Sequence, residues 1–369
     1  MPPVPDPDSP PVRGSAFVLR VCLTLALAWV AARLCVWLNT PIPWMIGPLL
    51  VTALVSVVGV PTASWIPLRN SGQWVIGTAL GLYFTPAVGS LVVGLWWAIA
   101  LGIAWSLALG LGFGAWLRRV HGARLEHLGP AQLRSTTYFA SAIGGASEMT
   151  LIAERHGART DLVAAAHSLR VLLVTVTIPF AMQAWGVSGL DPAPPGTREV
   201  QLSGLALLGG VTLAGALVMR RLGRANPWFM GALVVTMVIT LSGLTLSAIP
   251  TALSAAAQLV IGISLGVRFT PAFVHTAPRW LGSVALASLF MMGVCAGFGW
   301  LLSAMTGLHP ATMVLGTSPG GIAEMSITAK VLQLGVPMVT AFQVCRLVAV
   351  LILAEPVFRW WSARRSAAG

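Results

Sequence analysis

The stretch Gly144–Met149, with the sequence GGASEM, recurs 176 positions later as GGIAEM at Gly320–Met325. Each glutamate is followed 22 residues later by an arginine, Arg170 in the first copy and Arg346 in the second. All of these residues lie in apolar surroundings, where a charged side chain costs a few kcal/mol or more and marks a candidate functional site. One unusual pattern at two places predicts that a single structural unit occurs twice.

Other blocks repeat in the same order at nearly the same offset. PWMIG at Pro43–Gly47 returns as PWFMG at Pro227–Gly231, and QWVIG at Gln73–Gly77 returns as QLVIG at Gln258–Gly262. Ordered repetition of this kind is the signature of an internal duplication. We therefore predict three parts: a disordered Pro-rich tail over 1–12, a first membrane repeat over 13–190 and a second membrane repeat over 191–369.

The composition places the protein in a membrane. Of the 369 residues, 56% are hydrophobic and 9% are charged. Soluble domains are about one quarter charged, so this chain lacks the polar side chains to cover a water-facing surface. A soluble enzyme is excluded. At about 20 residues for each crossing, the apolar residues supply about ten transmembrane helices.

The basic residues determine the predicted topology. Arginines cluster between apolar runs, over 118–134, over 220–224 and near the C-terminus, and basic loops remain in the cytoplasm. Counting every apolar run as a crossing would put two of these loops on opposite sides. If the GGASEM and GGIAEM segments are instead re-entrant or broken helices, all basic loops and both termini become cytoplasmic. The predicted fold is an all-α multi-pass protein with about ten transmembrane helices and two re-entrant segments, in two inverted repeats.

The paired charges allow two interpretations. Glu148 and Arg170, with their equivalents Glu324 and Arg346, are either structural ion pairs that hold each hairpin to the next helix, or a functional set. In the functional interpretation the carboxylates bind protons or cations, and the arginines bind the carboxylates or an anion.

The glycine pairs are also open to two interpretations. They either break the helix, so that the half-helix after them points its positive end at a bound anion, or they allow close helix packing.

A second pair of breaks is predicted at Thr85-Pro86 and Thr270-Pro271, since proline removes a backbone donor. Short apolar runs interrupted at matching positions of two halves indicate a transporter site. Polar residues near these breaks either bind a ligand or join neighbouring helices. The candidate substrate-binding or ion-binding residues are Glu148, Glu324, Arg170, Arg346, Gly144, Gly145, Gly320, Gly321, Ser147, Thr85, Pro86, Thr270, Pro271, Gln73 and Gln258.

The sequence gives no sign of catalysis. The six histidines form no pairs at metal-ligand spacing, and we expect His167 to be a hydrogen-bonded core residue rather than a ligand. No phosphate-binding glycine loop is present, and Ser147 has no recognisable base. We expect no cofactor, no metal, no direct nucleic-acid contact and no enzyme activity.

A family resemblance is carried by the segments PIPWMIGPLL, GGASEMTLIAERHG, HSLR and GGIAEMS. From about Arg20 to Phe358, the chain resembles the AbrB-type duplicated membrane proteins of bacteria. The resemblance implies a multi-pass protein of the bacterial inner membrane. Members carry the labels of gene-expression regulator or, provisionally, of ammonia monooxygenase. The family supplies no established catalytic residues to transfer to this chain.

Three functions are compatible with these features. The first is an ion-coupled secondary transporter of a small, anionic metabolite. The second is a membrane protein that regulates gene expression indirectly, and the third is a metal-dependent monooxygenase, whose metal ligands the sequence does not show. The expected partners are the lipid bilayer, an unidentified small molecule or ion and, in a homodimer, a second copy of the chain.

Overall fold

The computed structural model of the protein describes residues 14–122, 128–187, 199–244, 246–271, 273 and 277–366. Within those ranges all regular structure is helical, which confirms the all-α prediction. The predicted tail over 1–12 and most of the link before Glu199 lie outside the described residues. The helices are α1 Ser15–Trp37, α2 Pro43–Val57, α3 Ile66–Gly81, α4 Pro86–Gly94, α5 Trp96–His121, α6 Gly129–Ser141, α7 Ala146–Arg155, α8 Thr160–Ala184, α9 Leu202–Arg221, α10 Pro227–Leu241, α11 Thr251–Gly266, α12 Pro278–Thr306, α13 Pro310–Thr317, α14 Ile322–Leu332 and α15 Val336–Ser366.

Six helices in the described chain are long and apolar enough to cross a membrane: α1, α5, α8, α9, α12 and α15. Helices α3 and α4 together make a seventh candidate, bent by 88°. The protein is thus a polytopic membrane protein, but these helices do not add up to the predicted ten. The difference is one of length: α2, α3, α10 and α11 have 15 or 16 residues. At 1.5 Å per residue each covers about 22–24 Å, less than the hydrocarbon thickness of about 30 Å.

These four short helices pack against one another at the centre of the molecule. Helix α3 lies along α10, and α11 lies along α2. The backbones approach closely at glycines: a Cβ at Gly77 would overlap the carbonyl oxygen of Phe229, and one at Gly262 would lie 2.5 Å from that of Met45. Close packing through small residues is a common way for helices to associate in bilayers. Helices α1 and α9 pack outside this centre, against α2 and α10.

The two GGxxEM segments interrupt helices, as predicted. Helix α6 ends at Ser141 and α7 begins at Ala146, while α13 ends at Thr317 and α14 begins at Ile322. The residues that flank each interruption, Ala142 and Gly145 in the first, have extended ψ angles of 135° and 138°. Each pair of short helices packs on the long helix that follows it, α8 or α15. Both interruptions therefore lie inside the protein.

Candidate functional site

The two helix interruptions face one central cavity. A Cβ at Gly145 would lie 3.5 Å from Leu347 of α15, and one at Gly320 would lie 2.9 Å from Val174 of α8. Each interruption thus packs near the last long helix of the other half. The cavity between them has a volume of about 670 Å³, within the range of about 300–1,000 Å³ typical of small-molecule sites.

Most of the candidate residues line this cavity. From the first half it includes Gln73, Gly144, Gly145, Ser147, Glu148 and Arg170, and from the second half Gly320, Gly321, Glu324 and Arg346. Glu324 is buried, with 8% of its surface exposed, and Glu148 is half-buried. The structure thus brings together ten side chains or glycines that lie far apart in the sequence.

The glutamates and arginines do not pair with each other. Among the described residues, the ion pairs join His156 to Glu355, Arg159 to Asp161 and Arg359 to Glu355. None of them includes a residue of the two GGxxEM segments, Arg170 or Arg346. The structural ion pairs considered from the sequence are therefore not the geometry found.

The two buried arginines instead bind backbone carbonyls at the ends of broken helices. Arg170 donates to the carbonyl oxygens of Ala142, at 3.0 Å, and Ser141, at 3.4 Å. Arg346 donates to the carbonyl oxygen of Ser318 and, at 2.6 Å, to that of Gly320. These carbonyls lie in or just beyond the last turns of α6 and α13, where orphan acceptors and the negative end of the helix dipole favour a cation. Each arginine therefore stabilises an interruption.

A neighbouring side chain holds each guanidinium in place. His167 Nδ1 lies 2.9 Å from Arg170 Nη2, and His167 Nε2 lies 2.9 Å from the carbonyl oxygen of Phe139. Since the carbonyl accepts from Nε2, we assign Nδ1 as the acceptor from the arginine. In the second half Gln343 donates to Leu315 at 2.8 Å and accepts from Arg346 at 2.6 Å. His167 is the hydrogen-bonded core residue that we expected.

Both glycines of each pair are covered by side chains that fold back on them. The carboxylate oxygen Oε2 of Glu324 lies where a Cβ of Gly321 would be, and Glu148 lies against Gly145 in the same way. The methionine after each glutamate covers the first glycine, with Met325 Cγ 2.7 Å from a Cβ placed at Gly320. Each glutamate is the third residue of its half-helix, so its carboxylate reaches back over the helix start, as in a capping box.

Three arginines of the cavity were missed from the sequence. Arg69 in the first turn of α3, Arg224 before α10 and Arg268 just after α11 all line it. Basic residues between apolar runs are also the usual signal of cytoplasmic loops, which hides a role in binding. A useful signal was available: Arg69 and Arg268 lie at the ends of short helices that the repeat pattern already marked as unusual.

The remaining candidates lie outside the central cavity. Thr85 accepts a hydrogen bond from Val88 N at the start of α4, and Thr270 accepts one from Phe273 N. Pro86 is the first residue of α4, where the chain bends by 88°, and Pro271 follows Thr270. Thr270 lines an adjoining cavity of about 510 Å³ that shares Arg268 and Ser147 with the central one. Gln258 lines a third cavity, of about 450 Å³, together with Lys330.

Across the described ranges, no group of three or more His, Cys, Asp or Glu side chains is placed to hold a metal ion. His127 and His275 lie outside the described residues.

Comparison with known proteins gives one family. A family profile described as "Transition state regulatory protein AbrB" matches residues 44–362. An uncharacterized protein, YhjN, of Bacillus subtilis (strain 168) is 26% identical over 348 residues, covering 86% of this chain and 87% of its own. A protein of Escherichia coli (strain K12), provisionally named regulator AbrB, is 26% identical over 243 residues, covering 63% of this chain and 68% of its own.

Proposed function

The chain belongs to the AbrB family of membrane proteins, and from that premise we propose that it is an ion-coupled secondary transporter of a small anionic metabolite. In this proposal the central cavity binds the substrate and opens in turn to the two sides of the membrane. Glu148 and Glu324 are the groups that take up and release protons. The family resemblance implies the bacterial inner membrane as the location.

The charge of the cavity carries the proposal. Its lining contains five arginines against two glutamates, a formal excess of three positive charges. It also contains the first residues of α7 and α14. The positive ends of these two helix dipoles add to the positive charge of the lining, and the carboxylates of Glu148 and Glu324 lie over the two helix starts. Unwound segments and half-helix ends at such a site are typical of secondary transporters.

Matched contacts in the two halves support an inverted duplication. Gly72 of α3 lies against Val260 and the backbone of Ala257 of α11. Arg69 near the start of α3 and Arg268 beyond the end of α11 line the same cavity. The equivalent helices α3 and α11 therefore run antiparallel, which is expected if the second unit is inverted relative to the first. Alternating access in inverted repeats follows when the two halves exchange conformations.

The test is anion uptake by proteoliposomes under an imposed proton gradient, with a panel of small carboxylates as probes. We expect saturable uptake of at least one of these anions, stimulated by the gradient. Replacing both carboxylates, in Glu148→Gln with Glu324→Gln, should abolish the stimulation. Glu154→Gln is the matched control, because Glu154 is exposed on the same helix α7 and does not line the cavity. Gradient-stimulated uptake that persists in the double variant would refute the role of the carboxylates.

The relative named as a regulator favours a second candidate function, an indirect role in gene expression. In this case the protein would change the cellular level of a transported signal. A deletion in the basic segment over 118–134, placed between the end of α5 and the start of α6, distinguishes this possibility from a partner-binding scaffold. Part of that segment lies outside the described residues. A scaffold loses its transcriptional effect in that deletion, whereas a transporter keeps it.

A further inference from the structure

Arg268 is the charged group of the central cavity best placed to meet a ligand. It follows α11, is half-buried and lines both the central cavity and the adjoining one of about 510 Å³. Its charge interacts with those of Glu324, Glu148 and Arg69. Within the described part of the chain its guanidinium makes no ion pair within 4 Å. Arg170 and Arg346 also make no ion pair, but their guanidinium groups are held by backbone carbonyls. No such bond of the Arg268 guanidinium is found among the described residues, so it is the one available to bind an anion.

The two glutamates already hold negative charge where an anion would bind. Glu324, more than nine-tenths buried, makes no ion pair among the described residues. Its carboxylate lies over Gly321 at the start of α14, and that of Glu148 lies over Gly145 at the start of α7. Carboxylates are favourable at helix starts because of the helix dipole. Each glutamate thus occupies the end of a half-helix with a charge that is attached to the chain.

An anionic ligand adds a negative charge to a cavity that already contains the carboxylates of Glu148 and Glu324. A guanidinium presents a planar fork of donors that matches one carboxylate or phosphate at a time. If a ligand binds Arg268, its negative charge offsets the positive charge that interacts with both glutamate carboxylates. The carboxylates, of which that of Glu324 is buried, then face a further negative charge in the same cavity. Coulomb repulsion at low dielectric is costly, and entry of a proton with the ligand removes it. The charged groups that face the glutamates in the cavity are Arg69, Arg170, Arg224, Arg268 and Arg346.

We propose that Arg268 binds the carboxylate or phosphate group of a small organic anion in competition with Glu324 and Glu148, so that anion binding is accompanied by proton uptake. The proton comes from bulk water and ends on a glutamate carboxylate oxygen, and no other bond is made or broken. The inference rests on the proposed transport function for its physiological meaning, and it names the ligand class and the coupling step.

Proton uptake can be measured without transport. Purified protein in lipid nanodiscs, in a weakly buffered solution with a pH indicator, is titrated with succinate or inorganic phosphate, and with succinamide as the uncharged control. We expect saturable uptake of about one proton per anion bound, and none with succinamide. A response to only one of the two anions identifies the ligand group as carboxylate or phosphate.

Variants assign the roles. Arg268→Gln should weaken anion binding about tenfold or more, because a charge-assisted bidentate contact is lost, and Arg268→Lys, which keeps the charge, should restore part of it. Arg221→Gln, at the exposed end of α9 and outside the cavity, is the matched control and should bind normally. The double variant Glu148→Gln with Glu324→Gln should bind the anion without taking up a proton.

The inference is overturned if neither anion causes proton uptake in the native protein, if Arg268→Gln binds as well as the native protein, or if the double variant still takes up protons. Size-exclusion profiles identify any variant that has aggregated. If Arg268→Gln aggregates, anion binding is measured in Arg268→Lys instead, and binding as tight as in the native protein would overturn the inference. Because nanodiscs hold no gradient, normal binding with no uptake in proteoliposomes would refute the transport function and leave this inference intact.

Discussion

At the scale of single residues, the GGxxEM sequence is explained by its contacts. The glutamate and methionine fold back over the two glycines, where a Cβ would overlap them. The sequence predicted that Glu148 and Glu324 are special, because a carboxylate in an apolar run is costly. The partners of Arg170 and Arg346 could not be predicted, since they are backbone carbonyls exposed only when the helix breaks.

Replacing His167 by glutamine, the residue found at the equivalent position 343 of the second half, tests whether His167 holds the Arg170 guanidinium in place. Gln343 makes the matching contacts in the second half, with Leu315 and Arg346. We therefore expect His167→Gln to keep near-native thermal stability in detergent. His167→Leu leaves the Arg170 guanidinium and the Phe139 carbonyl without this partner and should cost about 1–3 kcal/mol.

The measurement is the melting temperature of the two purified variants. Equal loss of thermal stability in His167→Gln and His167→Leu would show that a glutamine cannot make the contacts of His167. A native-like melting temperature of His167→Leu would show that these contacts contribute little to stability.

At the scale of helices, the apolar runs predicted the elements but not their length. The break at Thr85-Pro86 was visible because proline cannot continue a helix, and it coincides with the 88° bend. The shortness of α2 and α10 was not visible, because their apolar composition is that of a full span. Their burial depends on pairing between helices that are distant in sequence, α3 with α10 and α2 with α11.

This pairing gives a packing prediction. In Gly77→Leu the new side chain would collide with the backbone of Phe229 in α10. A helix backbone cannot move aside as a flexible side chain can, so the collision is costly. We expect loss of about 1–3 kcal/mol or failure to accumulate in membranes. Gly293→Leu is the matched control, because a Cβ at this glycine of α12 meets nothing within 4 Å.

Expression level and melting temperature of the two leucine variants measure the difference. Similar behaviour of both would mean that the close contact of α3 with α10 does not hold the centre together.

At the scale of the whole molecule, the repeat pattern selected both GGxxEM segments as candidate binding segments. In the structure both of them line the central cavity. The repeat pattern did not predict that Arg69, Arg224 and Arg268 join them, because basic residues at helix ends also mark cytoplasmic loops. The proposed transport function depends on the two halves having opposite orientations in the membrane.

That orientation is tested most directly by labelling single cysteines at matched positions. Gly157 and Gln333 are exposed residues with positive φ at the ends of α7 and α14. Gly157→Cys and Gln333→Cys are made separately, after the native Cys22, Cys35, Cys295 and Cys345 have been replaced, and intact cells are treated with a membrane-impermeant thiol reagent. We predict that position 333 reacts in intact cells and that position 157 reacts only after permeabilisation. Reaction of both positions from the same side would contradict the inverted arrangement.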